Sequence, residues 1–393
     1  MNPLDQPRYA WIILNAISHI GPVMVRRLLD AFGQDPCRIL KASPSELMQV
    51  KGVGEKAVHS IRSWKQSFDL PKELQKLDEA NAVFIACDEP HYPSILSQLY
   101  DPPIGLYQCG HYHLTESQPA IAIVGSRHAS LYGLRVARQF AQRLASMGFC
   151  IVSGLARGVD TAAHEGALEA GGDTIAVLGN GLDIIYPPEN LELYRRIERN
   201  GAILSEFCFG RRADRQTFPM RNRIVSGLCQ GVLIVESDEN GGSMITARFA
   251  LEQNRQVYAI PGRIDQANSR GCHRLIKEGA LLTTSVEDIL DDLQYRVQQT
   301  ELFDDLNSGN GETAARADVD SRPEFSQTKK RWQTLSGELL ELCEVLNREG
   351  ALTVDALSDL TSRDVARIHA SLMMLELQKH IVRQFDGTVA LRE

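Results

Sequence analysis

The chain has 393 residues, of which 43% are apolar and 23% are charged, and its formal net charge is −8. This length favours two or three domains over one core, and no run of 18 apolar residues is present that could cross a membrane. The acidic total argues weakly against a nucleic-acid ligand, but the segment from Phe207 to Arg223 holds five arginines and one acid, a local charge of +4.

The first part of the chain, 1–71, is predicted to be a helical domain, because its apolar residues recur at helical spacing. Its start carries no basic segment, so we expect no signal peptide. Val50–Ala57 resembles the turn of a helix-hairpin-helix, in which two glycines turn the chain and expose amides to a phosphate. Ile17–Pro22 resembles a degenerate copy. Such hairpins serve equally often as packing units alone.

The middle part, 72–298, is predicted to be an α/β core with a Rossmann-like, doubly wound, mostly parallel sheet. Short apolar runs each lead into glycine or serine and then usually into a helical stretch. The runs are IAIVGS, FCIVSGL, TIAVLGNG, AILSEF, GVLIVES and QVYAIPG. Because right-handed crossovers place the loops after such strands on one edge, we expect a ligand to bind there.

The first loop on that edge is Gly125-Ser126-Arg127. Glycine allows a ligand to approach the backbone, the following helix presents free amides to an anion, and arginine suits phosphate. A tight turn with a surface arginine explains the tripeptide equally well. No GxxxxGK[ST] sequence occurs, so ATP hydrolysis is not supported.

The second loop runs from Ser153 and Gly154 to Asp160, with His164 four residues later. Small residues before a helix form a second concavity that favours anions. We expect Asp160 to cap the helix and His164 to pack beside it, in preference to acid–base catalysis.

The third segment contains Arg215, Phe218, Arg221, Asn222 and Arg223. An aromatic ring flanked by arginines offers a stacking face and phosphate partners to an unpaired strand. The alternative is a buried phenylalanine with arginines in internal salt bridges, and it is most serious for the last two residues.

The fourth loop, Gly241-Gly242-Ser243, follows a strand that ends in Glu236 and Ser237. It predicts a phosphate-binding nest before a helix. Phosphoribohydrolases of the lysine-decarboxylase-like group have a similar Gly-Gly-x-Gly-Thr loop, so a nucleotide-processing hydrolase is the rival function. Glu236 and Asp238 could supply its carboxylate, but here Met244 and Ile245 stand at the glycine and threonine places.

The polar segment 299–334 is predicted to be a flexible linker, because it contains too few apolar residues to offset its ordering entropy. Apolar periodicity returns over 335–393. The eight cysteines are scattered without a CxxC pair, which fits a reducing cytosol and argues against a zinc knuckle. His111 and His113 have no third ligand nearby, so no metal is expected.

Taken together, these segments resemble the DprA family (DNA processing protein A, or Smf) over roughly residues 82–282. The resemblance rests on segments that follow one another in order: DPPIGLYQCG, IAIVGSR, SGLARGVDTAAH, TIAVLGNGLDIIYPPEN, LSE, FPMRNRIVSGL, GGSMITARFALE, QVYAIPG and GCHRLIKEGA. The helical part resembles the SAM-like domain of the family, and 335–393 resembles its C-terminal winged-helix domain. Lys379 stands where the wing has glycine, which affects the expected geometry of the wing.

The resemblance implies a non-enzymatic, cytoplasmic protein without a cofactor that binds single-stranded DNA. It also implies loading of the RecA recombinase onto the strand, displacement of single-strand binding protein, and a role in DNA uptake and natural transformation. The DNA-binding residues would be Gly125, Ser126, Arg127, Ser153, Gly154, Arg215, Phe218, Arg221 and Asn222. A homodimer would form through His273, Ile276 and Leu282.

Overall fold

The computed structural model describes residues 5–115, 118–293, 338–350, 352–361, 368, 372, 375, 381–383 and 389–391. Within these residues, no helix is both long and apolar enough to cross a bilayer. The chain divides into two compact units, which are residues 1–310 and residues 311–393. The predicted linker, 299–334, lies outside the described residues.

Seven short helices build the N-terminal part of the first unit. They are α1 (Pro7–Ala16), α2 (Pro22–Ala31), α3 (Pro36–Lys41), α4 (Pro44–Met48), α5 (Glu55–Arg62), α6 (Trp64–Ser67) and α7 (Leu70–Glu79). Proline opens each of the first four helices, where its fixed φ costs nothing and its missing N–H is not needed. Ser43 and Glu46 form a capping box at α4. Gly52 turns the hairpin before α5 with a φ of +89°.

Among the described residues of the first unit, nine strands form one sheet. They are β1 (Val83–Ala86), β2 (Gly105–Gly110), β3 (Ala120–Val124), β4 (Cys150–Ser153), β5 (Thr174–Leu178), β6 (Ala202–Ser205), β7 (Gly231–Ile234), β8 (Gln256–Ala259) and β9 (Leu281–Leu282). Their order is β1-β2-β6-β5-β4-β3-β7-β8-β9. The strands from β3 to β9 run parallel, while β1 and β2 add an antiparallel edge. The doubly wound, mostly parallel sheet predicted from the apolar runs is confirmed.

Helices cover both faces of this sheet. They are α8 (Ser94–Ser97), α9 (Leu131–Ser146), α10 (Val159–Glu169), α11 (Leu191–Asn200), α12 (Thr217–Gly227), α13 (Gly242–Glu252) and α14 (Ala267–Lys277). The buried side chains of α9 and α10 pack on one face of the sheet, and those of α12, α13 and α14 pack on the other face. Residues 286–293 are also helical. The order reverses at β3, whose neighbours are β4 and β7, so the loops after β3 and β7 bound a crevice at the carboxyl edge.

The N-terminal helices share a hydrophobic core with the β1–β2 end of the sheet. Trp11 donates a hydrogen bond from its indole N–H to Asp88 (2.9 Å), and the Asn15 side-chain amide donates to the Glu206 carbonyl (2.9 Å). The helical part and the α/β core are therefore packed together through a shared apolar interface.

The second unit contains helices Glu338–Glu349 and Val354–Thr361. It also contains a two-stranded antiparallel sheet of β10 (Ile381–Arg383) and β11 (Val389–Leu391). These elements enclose a small apolar core that includes Leu342, Leu346 and Leu357. The described residues of this unit thus form two helices and an antiparallel strand pair with an apolar core of their own.

Candidate functional site

A cavity of about 430 Å³ opens at the carboxyl edge of the sheet, in the crevice between the loops after β3 and β7. We call it the central cavity. It is lined by Val124, Gly125, Ser126, Arg127, Ala156, Asp160, Arg215, Phe218, Pro219, Arg221, Asn222, Ser237, Asp238, Gly241, Gly242, Ser243, Ile245 and Thr246. Loops that are distant in sequence therefore meet here, as the parallel sheet requires.

The β3–α9 loop is held directly against its neighbours. The amide of Ser126 donates to the carbonyl of Glu236 (2.7 Å), which ties the loops after β3 and β7 together. A β-carbon at Gly125 would lie 2.7 Å from a Val159 methyl group and 2.8 Å from that same carbonyl oxygen. Only glycine fits this close approach without a shift in the backbone.

Arg127, Arg215 and Phe218 lie on the solvent-facing side of the cavity, and we call them the rim. The exposed Asp238 also lines the cavity and adds a negative charge there. The Arg127 guanidinium lies over the half-buried Phe218 ring, 4.8 Å from its centre. Tyr186 extends the aromatic surface, with its ring centre 6.2 Å from that of Phe218. In the described part of the chain, neither rim arginine forms a salt bridge, so both can bind an anion.

The buried wall of the cavity consists of Arg221 and Asp160. Nη1 of Arg221 lies 3.9 Å from a carboxylate oxygen of Asp160, and both side chains are 6% exposed. Nε of Arg221 has no hydrogen-bond partner among the described residues. Burial raises the pKa of Asp160, an effect that Arg221 opposes, and burial lowers the pKa of Arg221. The pair is loosely matched, which leaves donor capacity on Arg221 for a ligand.

Asp160 does not cap its helix, contrary to the sequence prediction. Gly158 occupies the N-cap position of α10, with a φ of +78°. Asp160 stands in the first turn, and its carboxylate accepts hydrogen bonds from the amides of Gly154 (3.2 Å) and Ala156 (3.4 Å). It therefore fixes the loop after β4 instead of the helix end.

His164 packs beneath the same loop and is fully buried. Its Nδ1 lies 2.7 Å from the Thr174 hydroxyl, and burial lowers its pKa to about 3. The ring is thus held neutral in the core, as expected for a packing residue.

Ser153 and Gly154 do not line the cavity, although they belong to the predicted site. The Ser153 side chain is fully buried, and its hydroxyl donates to the Ile123 carbonyl (2.7 Å). Any β-carbon at Gly154 would overlap the Arg221 guanidinium. Gly154 therefore acts by leaving room for a cavity residue.

Two neighbouring residues of α12 have different fates. Asn222 lines the cavity and donates to the carbonyl of Gly242 at 3.4 Å, which links α12 to the start of α13. Arg223 is buried and forms a salt bridge with Glu206 and a hydrogen bond to the Asp101 carbonyl (2.6 Å). The salt-bridge alternative weighed for these two residues is confirmed for Arg223.

The local charge of +4 overstates the charge available to a ligand. Arg211 is paired with Asp214 at 2.5 Å, and Arg221 and Arg223 face buried carboxylates. Of the five arginines in this segment, Arg215 is the exposed one that lines the cavity.

The start of α13 supplies the remaining wall. Gly241 is the N-cap and Gly242 the first helical residue, so free amides and the positive end of an eleven-residue helix face the cavity. Ser243 donates to the Ser237 hydroxyl (2.8 Å), which steadies this turn. Sequence reasoning did not select Ser237, although its position at a strand end could have indicated it.

Of the two carboxylates that a hydrolase could use, Asp238 is exposed and lines the cavity, whereas Glu236 is buried behind this wall. It accepts hydrogen bonds from the Ser130 amide (2.8 Å) and the Ser130 hydroxyl (2.5 Å). Gly133 leaves room for it at the start of α9. Its contacts are those of a structural residue that anchors a helix.

The three predicted dimer residues lie near the β9 edge of the sheet. Nε2 of His273 is 2.9 Å from the Gly262 carbonyl, and Ile276 is half-buried against the core. Leu282, on the edge strand, is 48% exposed.

The described residues contain no group of three side chains suited to a metal. The His113 ring stacks on the His91 ring, with 4.9 Å between their centres.

Two family models match the chain. The description "DNA recombination-mediator protein A" matches residues 83–294, and "SAM-like Helix-hairpin-helix tandem" matches residues 12–63. The first covers the whole sheet, and the second covers the helical hairpins.

Similar proteins come from several bacteria. Protein Smf of Escherichia coli is 46% identical over 317 residues, which are 80% of this chain and 79% of that protein. DNA processing protein DprA of Streptococcus pneumoniae is 40% identical over 251 residues, which are 64% of this chain and 86% of that protein.

Two solved structures resemble the fold. The X-ray structure of DprA from S. pneumoniae has a TM-score of 0.62 at 34% identity and covers 74% of this chain and 98% of that one. A structure of DNA processing protein A from Helicobacter pylori, described by its single-stranded DNA binding mode, has a TM-score of 0.50 at 31% identity. It covers 55% of this chain and 98% of that one.

Proposed function

The chain belongs to the family of DNA recombination-mediator protein A (DprA or Smf), and on this premise we propose that its central cavity binds single-stranded DNA. The H. pylori relative is described by its single-stranded DNA binding mode. The observation that carries the proposal for this chain is the convergence of Arg127, Arg215 and Phe218 on one rim.

The groups of the rim and wall match the parts of an unpaired strand. Arg127 and Arg215 suit phosphates, and the free amides at the start of α13 add a second anion site. The half-buried face of Phe218 suits a base that is not covered by its neighbours. In a duplex the base faces are stacked, so the ring could contact a base only in a single strand.

A nucleotide-processing hydrolase is less well supported. Glu236 is committed to Ser130 and does not line the cavity. Asp238 does line the cavity, where its carboxylate accepts a hydrogen bond from the Glu239 amide (2.7 Å). Ile245 lines the cavity at the place where the hydrolase loop has threonine. We therefore propose a binding role without catalysis and without a cofactor.

We further propose the finer role that family membership suggests. The protein would act in the cytoplasm as a homodimer, through His273, Ile276 and Leu282. It would load the RecA recombinase onto single-stranded DNA in place of single-strand binding protein, during recombination and transformation by DNA uptake. The second unit would be a winged-helix domain over 335–393, joined by a linker over 299–334 to the core (72–298) and the helical domain (1–71).

Salt-dependent binding tests the central proposal. Single-stranded DNA should bind more tightly than duplex DNA, and the logarithm of the binding constant should fall with the logarithm of salt by about 0.7 per phosphate contacted. Nucleotide hydrolysis is assayed in parallel with the same preparation. Equal affinity for both DNA forms, or turnover of a nucleotide, would contradict the proposal.

Filament assembly tests the finer role. RecA assembly on DNA coated with single-strand binding protein should be faster with this protein, and a variant that cannot bind DNA should not accelerate it. For the dimer, Leu282→Glu should give monomers in sedimentation, whereas a persistent dimer would reject that surface.

A further inference from the structure

A second depression adjoins the central cavity, and we call it the side groove. It is lined by Arg127, Ala129, Leu134, Arg135, Arg138, Gly158, Thr161, Ala162 and Glu165. Its volume is about 560 Å³. Arg127 lines both depressions, so a ligand that contacts Arg127 in the central cavity already stands at the entrance of the side groove.

The floor of the side groove is the crossing of α9 and α10. Gly158 lies directly under the backbone of Ser126 and Arg127, where a β-carbon would clash, and Gly166 lies equally close to the carbonyl of Arg138. Small residues thus let the two helices approach closely. The floor is open backbone and methyl surface, while the long side chains of α9 form the walls.

The charges in the groove favour a polyanion. Arg135 is exposed and forms no salt bridge within the residues that the structure describes. Arg138 is paired with Glu165 and, at 3.5 Å, with Glu169, so the acid in the groove is already neutralised. Among the described residues that line the side groove, Arg127 and Arg135 are therefore the cations without a salt bridge.

We propose that a bound single strand leaves the central cavity across Arg127 and continues along the side groove, where Arg135 contacts its phosphate backbone. This inference rests on the proposed function and extends it, because it assigns a path to the strand outside the central cavity and adds a binding residue. Leu134, which is half-buried beside Arg135, offers apolar surface to the sugars.

Oligonucleotide length separates the two depressions. Oligothymidylates of about 4 and about 16 nucleotides span the usual range of single-strand site sizes. Arg135→Ala should weaken binding of the long strand about twofold to fivefold, the scale of an exposed ion pair. It should lower the salt slope by about 0.7 for the long strand and leave the short strand unchanged. Arg135→Lys should retain the slope, because it retains the charge.

Arg199→Ala is the matched control. Arg199 is exposed and forms no salt bridge in the described part of the chain, and it stands in the last turn of α11. Because β6 begins directly after α11, this arginine lies at the opposite edge of the sheet from the cavity. We expect this variant to bind both strands as the unmodified protein does.

Arg127→Ala distinguishes the two levels of the proposal. It should weaken the binding of both the short and the long oligothymidylate. If it does so and Arg135→Ala affects neither strand, or both equally, the path along the side groove is wrong while the central cavity stands. If Arg127→Ala affects neither strand, the proposed function of the central cavity fails, and the path fails with it.

Discussion

The rim and the buried wall of the central cavity both contain arginine, but the arginines have different surroundings. On the rim, Arg127 and Arg215 are unpaired and face solvent, whereas Arg221 is enclosed beside Asp160. Arg223, two residues further along the same helix, does not line the cavity and forms a salt bridge with Glu206. An arginine-rich segment therefore serves two purposes, ligand contact and core stability. The predictions below test residues of the rim and residues of the buried surroundings.

The largest effect is expected at Arg223. Arg223→Ala leaves Glu206 buried without its partner, so the free energy of unfolding should fall by about 3–5 kcal/mol. Burial already raises the pKa of Glu206. The loss of stability in the variant should therefore grow as pH rises, because the unpaired buried carboxyl is then driven to ionise. Urea denaturation measures the free energy of unfolding, and the double variant that also carries Glu206→Gln should recover part of the lost stability. A loss under about 1 kcal/mol would show that the pair with Glu206 does not stabilise the core.

Phe218→Ala should weaken the binding of single-stranded DNA by about 1–3 kcal/mol, the value of one stacked base. Since stacking releases few ions, the salt slope should stay the same. Titration at several salt concentrations measures both quantities. A large change in slope would show that the ring acts by placing Arg127 instead of by stacking.

The buried His164 should make the fold sensitive to acid. Its folded pKa, about 3, lies below the ordinary value of 6.5, so the unfolded chain binds the proton first. The stability that the neutral ring contributes is complete above about pH 6.5 and falls by up to about 1.4 kcal/mol per pH unit below it. His164→Asn should remove this part of the slope. If both proteins lose stability equally between pH 6.5 and 4, the ring is not held neutral.

The smallest effect is expected at Arg127. Arg127→Ala should cost about 1 kcal/mol in binding and about 0.7 in salt slope, because the guanidinium is exposed. The melting temperature should stay the same, since surface changes rarely exceed 0.5 kcal/mol in stability. A marked loss of stability would assign Arg127 to the wall instead of the rim.

The sequence predicted the main strands and their glycine-rich loops well, because buried parallel strands are continuous apolar runs. It missed the two-residue strand β9, and it missed β1 and β2, whose antiparallel pairing joins segments that carry no hairpin signal. It identified Asn222 and Arg223 as the residues for which an internal salt bridge was the serious alternative, but it could not separate Arg221 from Arg215. The surroundings of Arg221 and Arg223 depend on Asp160, Glu206 and Asp101, which are distant in sequence and reach them only through the fold.

Gly154 also shows that the sequence could not assign the role of an individual residue within the site. It belongs to the predicted ligand set, yet its role is to leave space for the guanidinium of Arg221. A motif can therefore mark the right site while a residue within it acts one layer behind the surface. The predicted family is confirmed, while the individual DNA contacts stay predictions.

The bond from the Ser126 amide to the Glu236 carbonyl, together with the anchoring of Glu236 by Ser130, fixes two walls of the cavity before any ligand arrives. With the receptor already ordered, the entropy lost on binding falls mainly on the nucleic acid. Thymidine tracts, whose bases stack weakly, would adapt to such a rigid cleft at lower cost than adenosine tracts, which must first unstack. A stiff protein would in this way acquire a preference among base compositions without a single hydrogen bond to a base edge.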